Sequence, residues 1–166
     1  MDNIRIRMAV PGDEAVLAYI QTESWKAGFA QILSPEELER TANLQRVTQT
    51  YQDVLLREGS NIAIEYVDGK PHCFTAWGKN RCNLGEHVAE LICIHSLQDK
   101  WARGYGSAMM EYVLARLQQQ KYESVILWVF EANTRARRFY EKHGFSQTGE
   151  RKLARSVPEI MYVKYL

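Results

Sequence analysis

Between Trp101 and Ala108 the chain reads Trp-Ala-Arg-Gly-Tyr-Gly-Ser-Ala, with Gly104 and Gly106 opening a helical pattern. Glycines admit a ligand close to the backbone, and the free amides of a helix N-terminus carry partial positive charge. Such a junction suits an anion, and a phosphate-bearing ligand is the expected guest. No GxxxxGK[ST] occurs, so a Walker A nucleotide site is excluded. Met109 stands where the third glycine of GxGxxG belongs, and no ribose-reading acid or strand-helix-strand opening supports a dinucleotide fold. A bare GxG at a helix start also serves as a plain tight turn. Metal chemistry is not expected: Cys73, Cys82 and Cys93 form no CxxC, and the pairs His72-Cys73 and Cys93 with His95 lack a second ligand pair at a familiar spacing.

The composition frames this chemistry. The 166 residues match one domain on a prior of about 150 residues per domain, and 1–166 is expected to be a single unit. Hydrophobic residues make up 46% and charged residues 25%, enough apolar material for a sizeable core. Twenty-one Lys and Arg against 20 Asp and Glu leave a formal charge of +1, a poor footprint for a protein that neutralises nucleic-acid phosphates. No run approaches the ~18 apolar residues of a membrane span, and no signal peptide is visible at Met1-Asp2-Asn3-Ile4-Arg5. Unpaired cysteines point to a reducing compartment, so a cytoplasmic protein without nucleic-acid or membrane partners is expected.

The elements that must hold the glycine loop follow from periodicity. Ile4, Ile6 and Met8 alternate with arginines as in a half-buried strand. Pro11-Gly12-Asp13 opens a helix with Val16, Leu17 and Ile20 on one face, and Ser34-Pro35-Glu36-Glu37 starts a second helical segment that breaks near Asn43 and runs to about Glu58. Asn61–Val67 and Pro71–Trp77 form a hairpin about Asp68-Gly69, and Val88–Ser96 is a further strand. A helix from Arg103 to about Gln120, a doubly apolar strand Val125–Phe130, a short helix capped by Asn133 and ended by His143-Gly144, and strands near Ser146–Leu153 and Ile160–Leu166 complete a mixed α/β order.

The segment after Val125–Phe130 reads Asn133-Thr134-Arg135-Ala136-Arg137-Arg138-Phe139-Tyr140-Glu141-Lys142-His143-Gly144-Phe145. With Arg103-Gly104-Tyr105-Gly106 it resembles the two signatures of the GNAT superfamily of acetyl-CoA-dependent N-acetyltransferases, [Q/R]-x-x-G-x-[G/A] and N-x-x-A-x-x-F-Y-x-x-x-G-F. Ala89-Glu90-Leu91-Ile92 resembles the corresponding strand of histone-acetylating members. The motifs span about the C-terminal half, and the element order of the whole chain fits. Trp101 departs from the pattern, standing where the family usually has Gln or Arg. The resemblance implies an α/β fold of the α+β type: one mixed, mostly antiparallel sheet, helices on both faces and a splay between its two central strands.

The roles that follow are implied by the resemblance. Amides of Ala102, Arg103, Gly104, Tyr105, Gly106, Ser107 and Ala108 would cradle the pyrophosphate of coenzyme A. The backbone of Leu91, Ile92, Cys93 and Ile94 would pair with the pantetheine arm, and an amide near Ile94 would polarise the acetyl carbonyl. Asn133 would cap its helix and touch the cofactor, while Arg137 or Arg138 would reach the 3′-phosphate, so a local basic patch is expected around Arg103 and Arg137. Tyr140 is the expected general acid for the departing thiolate. The acceptor amine arrives protonated near neutral pH, so a base is needed. Glu90 is the first candidate, with His95 or a water chain as alternatives. Trp25 and Phe29, with Tyr19 and Glu23, would form an aromatic and acidic wall for a cationic amine. The leading expectation is acetyl transfer to a small-molecule primary amine by direct attack in a ternary complex. Acetylation of a protein N-terminus or lysine, and a non-catalytic CoA-binding regulatory module, are the alternatives; homodimerisation is open.

Overall fold

The computed structural model describes residues 2–166. Strand β1 (Ile4–Met8) forms where predicted but without the expected alternation, since Ile4 is exposed and Ile6, Arg7 and Met8 are all half-buried; helix α1 (Glu14–Phe29) buries Leu17, Ala18 and Ile20. Ser34 accepts a hydrogen bond from the Glu37 amide at 3.2 Å and starts α2 (Pro35–Thr41). Asn43 accepts from the Arg46 amide at 2.9 Å and starts α3 (Leu44–Leu55), so the break expected there is a fresh cap. The Asp68-Gly69 turn joins β2 (Asn61–Val67) to β3 (Lys70–Lys79), and β4 is Val88–Ser96 as the apolar pattern predicts.

A short 3₁₀ turn, Gln98–Lys100, leads to α4 (Tyr105–Gln119). This helix begins at Tyr105 and not at Arg103, because Gly104 caps it with φ of +91°, a left-handed conformation closed to the interior of a right-handed helix. Strand β5 (Ser124–Phe130) precedes α5 (Thr134–Lys142), whose cap Asn133 accepts from the Ala136 amide at 3.2 Å. Strands β6 (Ser146–Ala154) and β7 (Val157–Tyr165) close the chain as a hairpin.

Seven strands form one sheet in the order β1-β2-β3-β4-β5-β7-β6. Every neighbouring pair is antiparallel except β4 and β5, which run parallel. Alternate side chains of the strands serve opposite faces. Ile62, Ile64 and Phe74 pack with α1 and α3 on one face. Ala63, Cys73, Trp77, Val125 and Leu127 pack with Met109, Met110, Val113 and Leu117 of α4 and Tyr140 of α5 on the other. Among the described residues no helix is long and apolar enough to cross a membrane.

Candidate active site

The two central strands part company midway. Strands β4 and β5 pair only at Val88 with Ser124, Ala89 with Val125 and Glu90 with Ile126. On the other side of β4, Leu91 faces Trp77 and Cys93 faces Ala76, so Ile92 has no partner in β3. An extra residue of this kind bends and twists its strand, and the divergence from β5 begins at that point. From Leu91 to Ser96 the β5-facing edge of β4 is therefore unpaired, with backbone donors and acceptors free to meet a ligand laid along it.

A cavity of about 610 Å³ occupies this splay. Leu91, Ile92, Cys93, Ile94, His95 and Ser96 form one wall and Trp128, Val129 and Phe130 the other. Beyond the end of β4, the cavity reaches Trp101, Ala102, Gly104, Tyr105, Gly106 and Ser107. Ala102 and Gly104 both have positive φ, +62° and +91°, and the α4 amides follow at once. The Trp101 indole donates to the Ser96 carbonyl at 3.1 Å and to its hydroxyl at 3.0 Å, fastening the loop to the strand. Lys100, Arg135 and Lys142 add cations to the lining, and the Arg135 guanidinium stacks 3.5 Å from the centre of the Trp101 ring. Burial lowers the Arg135 pKa, as expected for a cation held against aromatic surface with no carboxylate beside it.

This corrects the basic patch expected at Arg103 and Arg137. Arg103 is exposed and outside the lining. Arg137 is turned to the sheet, where Nε donates to the Tyr162 hydroxyl at 3.1 Å and Nη1 to the Glu131 carbonyl at 3.0 Å. Ala108 also lies outside the lining, whereas Asn133 belongs to it in addition to capping α5. The signal that distinguishes Arg135 is helical spacing. Arg135, Ala136, Phe139 and Tyr140 share one face at i, i+1, i+4 and i+5, and that face meets the cavity.

Tyr140 is 8% exposed and packs between Phe139, Phe145 and Tyr162. Its hydroxyl has no hydrogen-bond partner among the described residues, although the side chain lines the cavity. Burial pushes its phenol pKa upward, and the neighbouring Arg135 charge offsets only part of that rise. The phenol therefore holds its proton at every physiological pH.

Glu90, in contrast, is unsuited to the base role expected of it. Its carboxylate is 1% exposed, lies outside the lining and accepts from Arg81 Nη2 at 2.6 Å, Arg81 Nε at 3.1 Å and the Arg81 amide at 2.9 Å. Burial alone would raise its pKa, but the hydrogen bonds and charge of Arg81 outweigh burial and hold it below the ordinary carboxylate value. A carboxylate so stabilised as the anion is a weak proton acceptor. His95 does line the cavity; burial pushes its pKa down to about 4, so the ring is neutral at pH 7. The Trp25 indole donates to His95 Nε2 at 3.4 Å, a long contact.

On the α1 side, Trp25 and Phe29 line the cavity as expected, with edge-to-face contact between them at 5.1 Å and between Phe29 and Phe130 at 5.0 Å. Glu23 does not join them. It pairs with Lys26 at 2.8 Å and, with Tyr19, borders a separate surface hollow one helical face away. Arg81, Arg155, Gln21, Tyr51 and Glu159, unforeseen from the sequence, complete this side. Loop and hairpin residues such as Arg81 and Arg155 carry no periodicity that could have marked them.

A cavity along a splayed parallel strand pair, ending at a left-handed glycine cap with adjacent cations, fits a long thioester-bearing ligand with a phosphate tail. Comparisons with known proteins agree. Residues 21–145 match the model of the acetyltransferase (GNAT) family. The chain is 27% identical over 148 residues to "Probable N-acetyltransferase Rv2775" of Mycobacterium tuberculosis (strain ATCC 25618 / H37Rv), covering 89% of this chain and 82% of that protein. Its fold is similar to the PaiA N-acetyltransferase of Thermoplasma acidophilum solved in complex with coenzyme A, with TM-score 0.83, 18% identity and 99% of each chain covered. It is also similar to the ribosomal-protein-alanine N-acetyltransferase of Brucella melitensis, with TM-score 0.73, 17% identity and 98% of this chain and 99% of that one covered. The chain belongs to the GNAT family of acetyltransferases, whose acetyl donor is acetyl-CoA.

Proposed function

We propose that the protein acetylates the primary amine of a small molecule by direct attack within a ternary complex. The observation that carries this reading is the end of β4–β5 pairing at Glu90 and Ile126, which opens the Leu91–Ser96 edge beside Tyr140. Acetyl-CoA supplies an activated acyl thioester when bound. The β5-facing amides and carbonyls within the stretch Leu91, Ile92, Cys93 and Ile94 hold its arm as an added strand, and an amide near Ile94 stabilises charge on the carbonyl oxygen. The loop amides from Ala102 to Ser107, with Lys100, Arg135 and Lys142, hold the phosphates.

Tyr140 donates a hydrogen bond to the departing sulfur. A thiolate has a pKa of about 8.5, below that of a phenol near 10, and burial widens the gap. Stabilisation by a hydrogen bond therefore outweighs complete proton transfer at this step. His95 lines the cavity where Glu90 does not, and with its pKa pushed down to about 4 it serves as a transient relay that passes the acceptor's proton on to water rather than as a base that retains it. Glu90 instead fixes the guanidinium of Arg81 at the rim. The three free thiols, Cys73, Cys82 and Cys93, fit a reducing cytoplasmic setting.

The test is initial-velocity analysis of thiol release from acetyl-CoA, varying both substrates over a panel of amino acids, polyamines, aminoglycosides and short peptides. Intersecting reciprocal plots with a small amine support the reading. Activity confined to peptides, or acetyl-CoA binding with no turnover of any amine, contradicts it.

A further inference from the structure

We infer that the acceptor carries a carboxylate beside its amine, and that Arg155 at the tip of the β6–β7 hairpin binds it. The inference rests on the acetyl transfer proposed above and names the class of acceptor: a small amino acid with an apolar or aromatic side chain.

The charges on the acceptor side point one way. The cavity there is lined by two guanidinium groups, Arg81 and Arg155, and by one carboxylate, Glu159. Glu159 is already matched by Lys152 at 3.7 Å. Glu90 is occupied by Arg81 and lies outside the lining, and Glu23 faces elsewhere with Lys26. With Arg81 neutralised by Glu90, a polycationic acceptor would meet the unpaired charge of Arg155 and no free carboxylate, at a cost in desolvation and repulsion. Arg155 has no carboxylate partner among the described residues. A planar guanidinium without a partner, held at a cavity mouth, is a ready fork for a ligand carboxylate.

The hairpin holds Arg155 there. Arg155 and Ser156 form the two-residue turn between Ala154 and Val157, with φ of +51° and +61°. Turns of this shape favour Asn and Gly, and an arginine in the left-handed region is uncommon. The guanidinium carbon stands 4.9 Å over the Trp25 ring, so the arginine is braced by an aromatic face that itself lines the cavity. Trp25 and Phe29 then offer apolar surface to the acceptor's side chain, while Arg155 takes its carboxylate and leaves the amine turned to the splay. The arrangement replaces the cationic acceptor expected from the sequence with a zwitterionic one.

The test compares matched pairs: phenylalanine with phenethylamine, leucine with isopentylamine, and spermidine as the polycation. Thiol release from acetyl-CoA is measured for wild type, Arg155→Ala, Arg155→Lys and Arg155→Glu. Wild type should favour each amino acid over its decarboxylated partner by at least tenfold in kcat/KM. Arg155→Ala should abolish that preference through the KM of the amino acid, with the KM of acetyl-CoA unchanged. Arg155→Lys should keep part of it, and Arg155→Glu should reverse it. Wild-type turnover of phenethylamine or spermidine equal to or above that of the amino acids overturns the inference and leaves acetyl transfer standing. An unchanged preference in Arg155→Ala overturns the role of Arg155. No turnover of any amine in the panel contradicts the proposed small-molecule acetyl transfer itself, and the inference falls with it.

Discussion

Arg81 and Glu90 meet as a two-point pair, Nη2 to Oε1 at 2.6 Å and Nε to Oε2 at 3.1 Å, at the last residue where β4 still pairs with β5. The pair is asymmetric in burial, with side-chain exposure of 65% for Arg81 and 2% for Glu90. It ties the loop after β3 to the strand just before the splay. The consequences for stability and for catalysis are separable.

Replacing Glu90 by Gln should cost about 1–2 kcal/mol, less than the 3–5 of a fully buried pair because Arg81 remains largely solvated. Since Glu90 has a lowered pKa, its contribution is present above the ordinary carboxylate value of 4.5 and is lost as pH falls through the lower folded value. Urea denaturation at pH 7 and at low pH measures both. If Glu90 is not the base, the pH–rate profile of Glu90→Gln keeps the wild-type inflections. Loss of an inflection would restore Glu90 to the chemistry.

Glu65 titrates in the opposite sense. Both carboxylate oxygens are buried without a partner among the described residues, and burial pushes the pKa up to about 7. The folded protein keeps this proton up to about pH 7 while the unfolded chain releases it near 4.5, so the stability it confers is complete below 4.5 and lost as pH rises through 7. Glu65→Gln should accordingly match wild type near pH 4.5 and exceed it by about 2 kcal/mol at pH 8, allowing for some solvent screening of the shift. Thermal unfolding at the two pH values provides the comparison, and a variant no more stable at pH 8 would mean the charged form finds partners.

At the phosphate end, Arg135→Ala and Arg137→Ala should behave differently. Arg135 lines the cavity, whereas Arg137 holds Tyr162 and Glu131. Loss of a charge-assisted contact of about 1.5–3 kcal/mol should raise the KM of acetyl-CoA by ten- to a hundredfold in Arg135→Ala. Arg137→Ala should leave that KM near wild type and lower the melting temperature. Gly104→Ala meets open space but inherits φ of +91°, so it should cost about 1–2 kcal/mol and raise the same KM by misplacing the loop.

These contrasts mark how far the sequence reaches. Element order, the caps at Ser34 and Asn133, the helix break near Asn43 and the strand Val88–Ser96 were legible because each depends on local periodicity or local hydrogen bonding. The glycine loop and Tyr140 were legible through motif spacing on a helix. Arg135 was as legible as Tyr140, since the same helical face carries both, yet proximity in sequence made Arg137 look equivalent. Arg81, Arg155 and the Glu90 pairing were not legible. They arise from a loop and a hairpin tip brought to β4 by the sheet order, and nothing local in the chain encodes that approach.

The proposed acetyl transfer turns on the phenol of Tyr140 at the open edge of β4, and the most direct measurement is steady-state acetyl transfer by Tyr140→Phe. Mass spectrometry of the acceptor, read with thiol release, should show one acetyl group gained per thiol in wild type. The variant loses a hydrogen bond worth about 1.5–3 kcal/mol to a charged sulfur, so kcat should fall ten- to a hundredfold with the KM of acetyl-CoA and the melting temperature unchanged. An undiminished kcat in a folded Tyr140→Phe protein would contradict it.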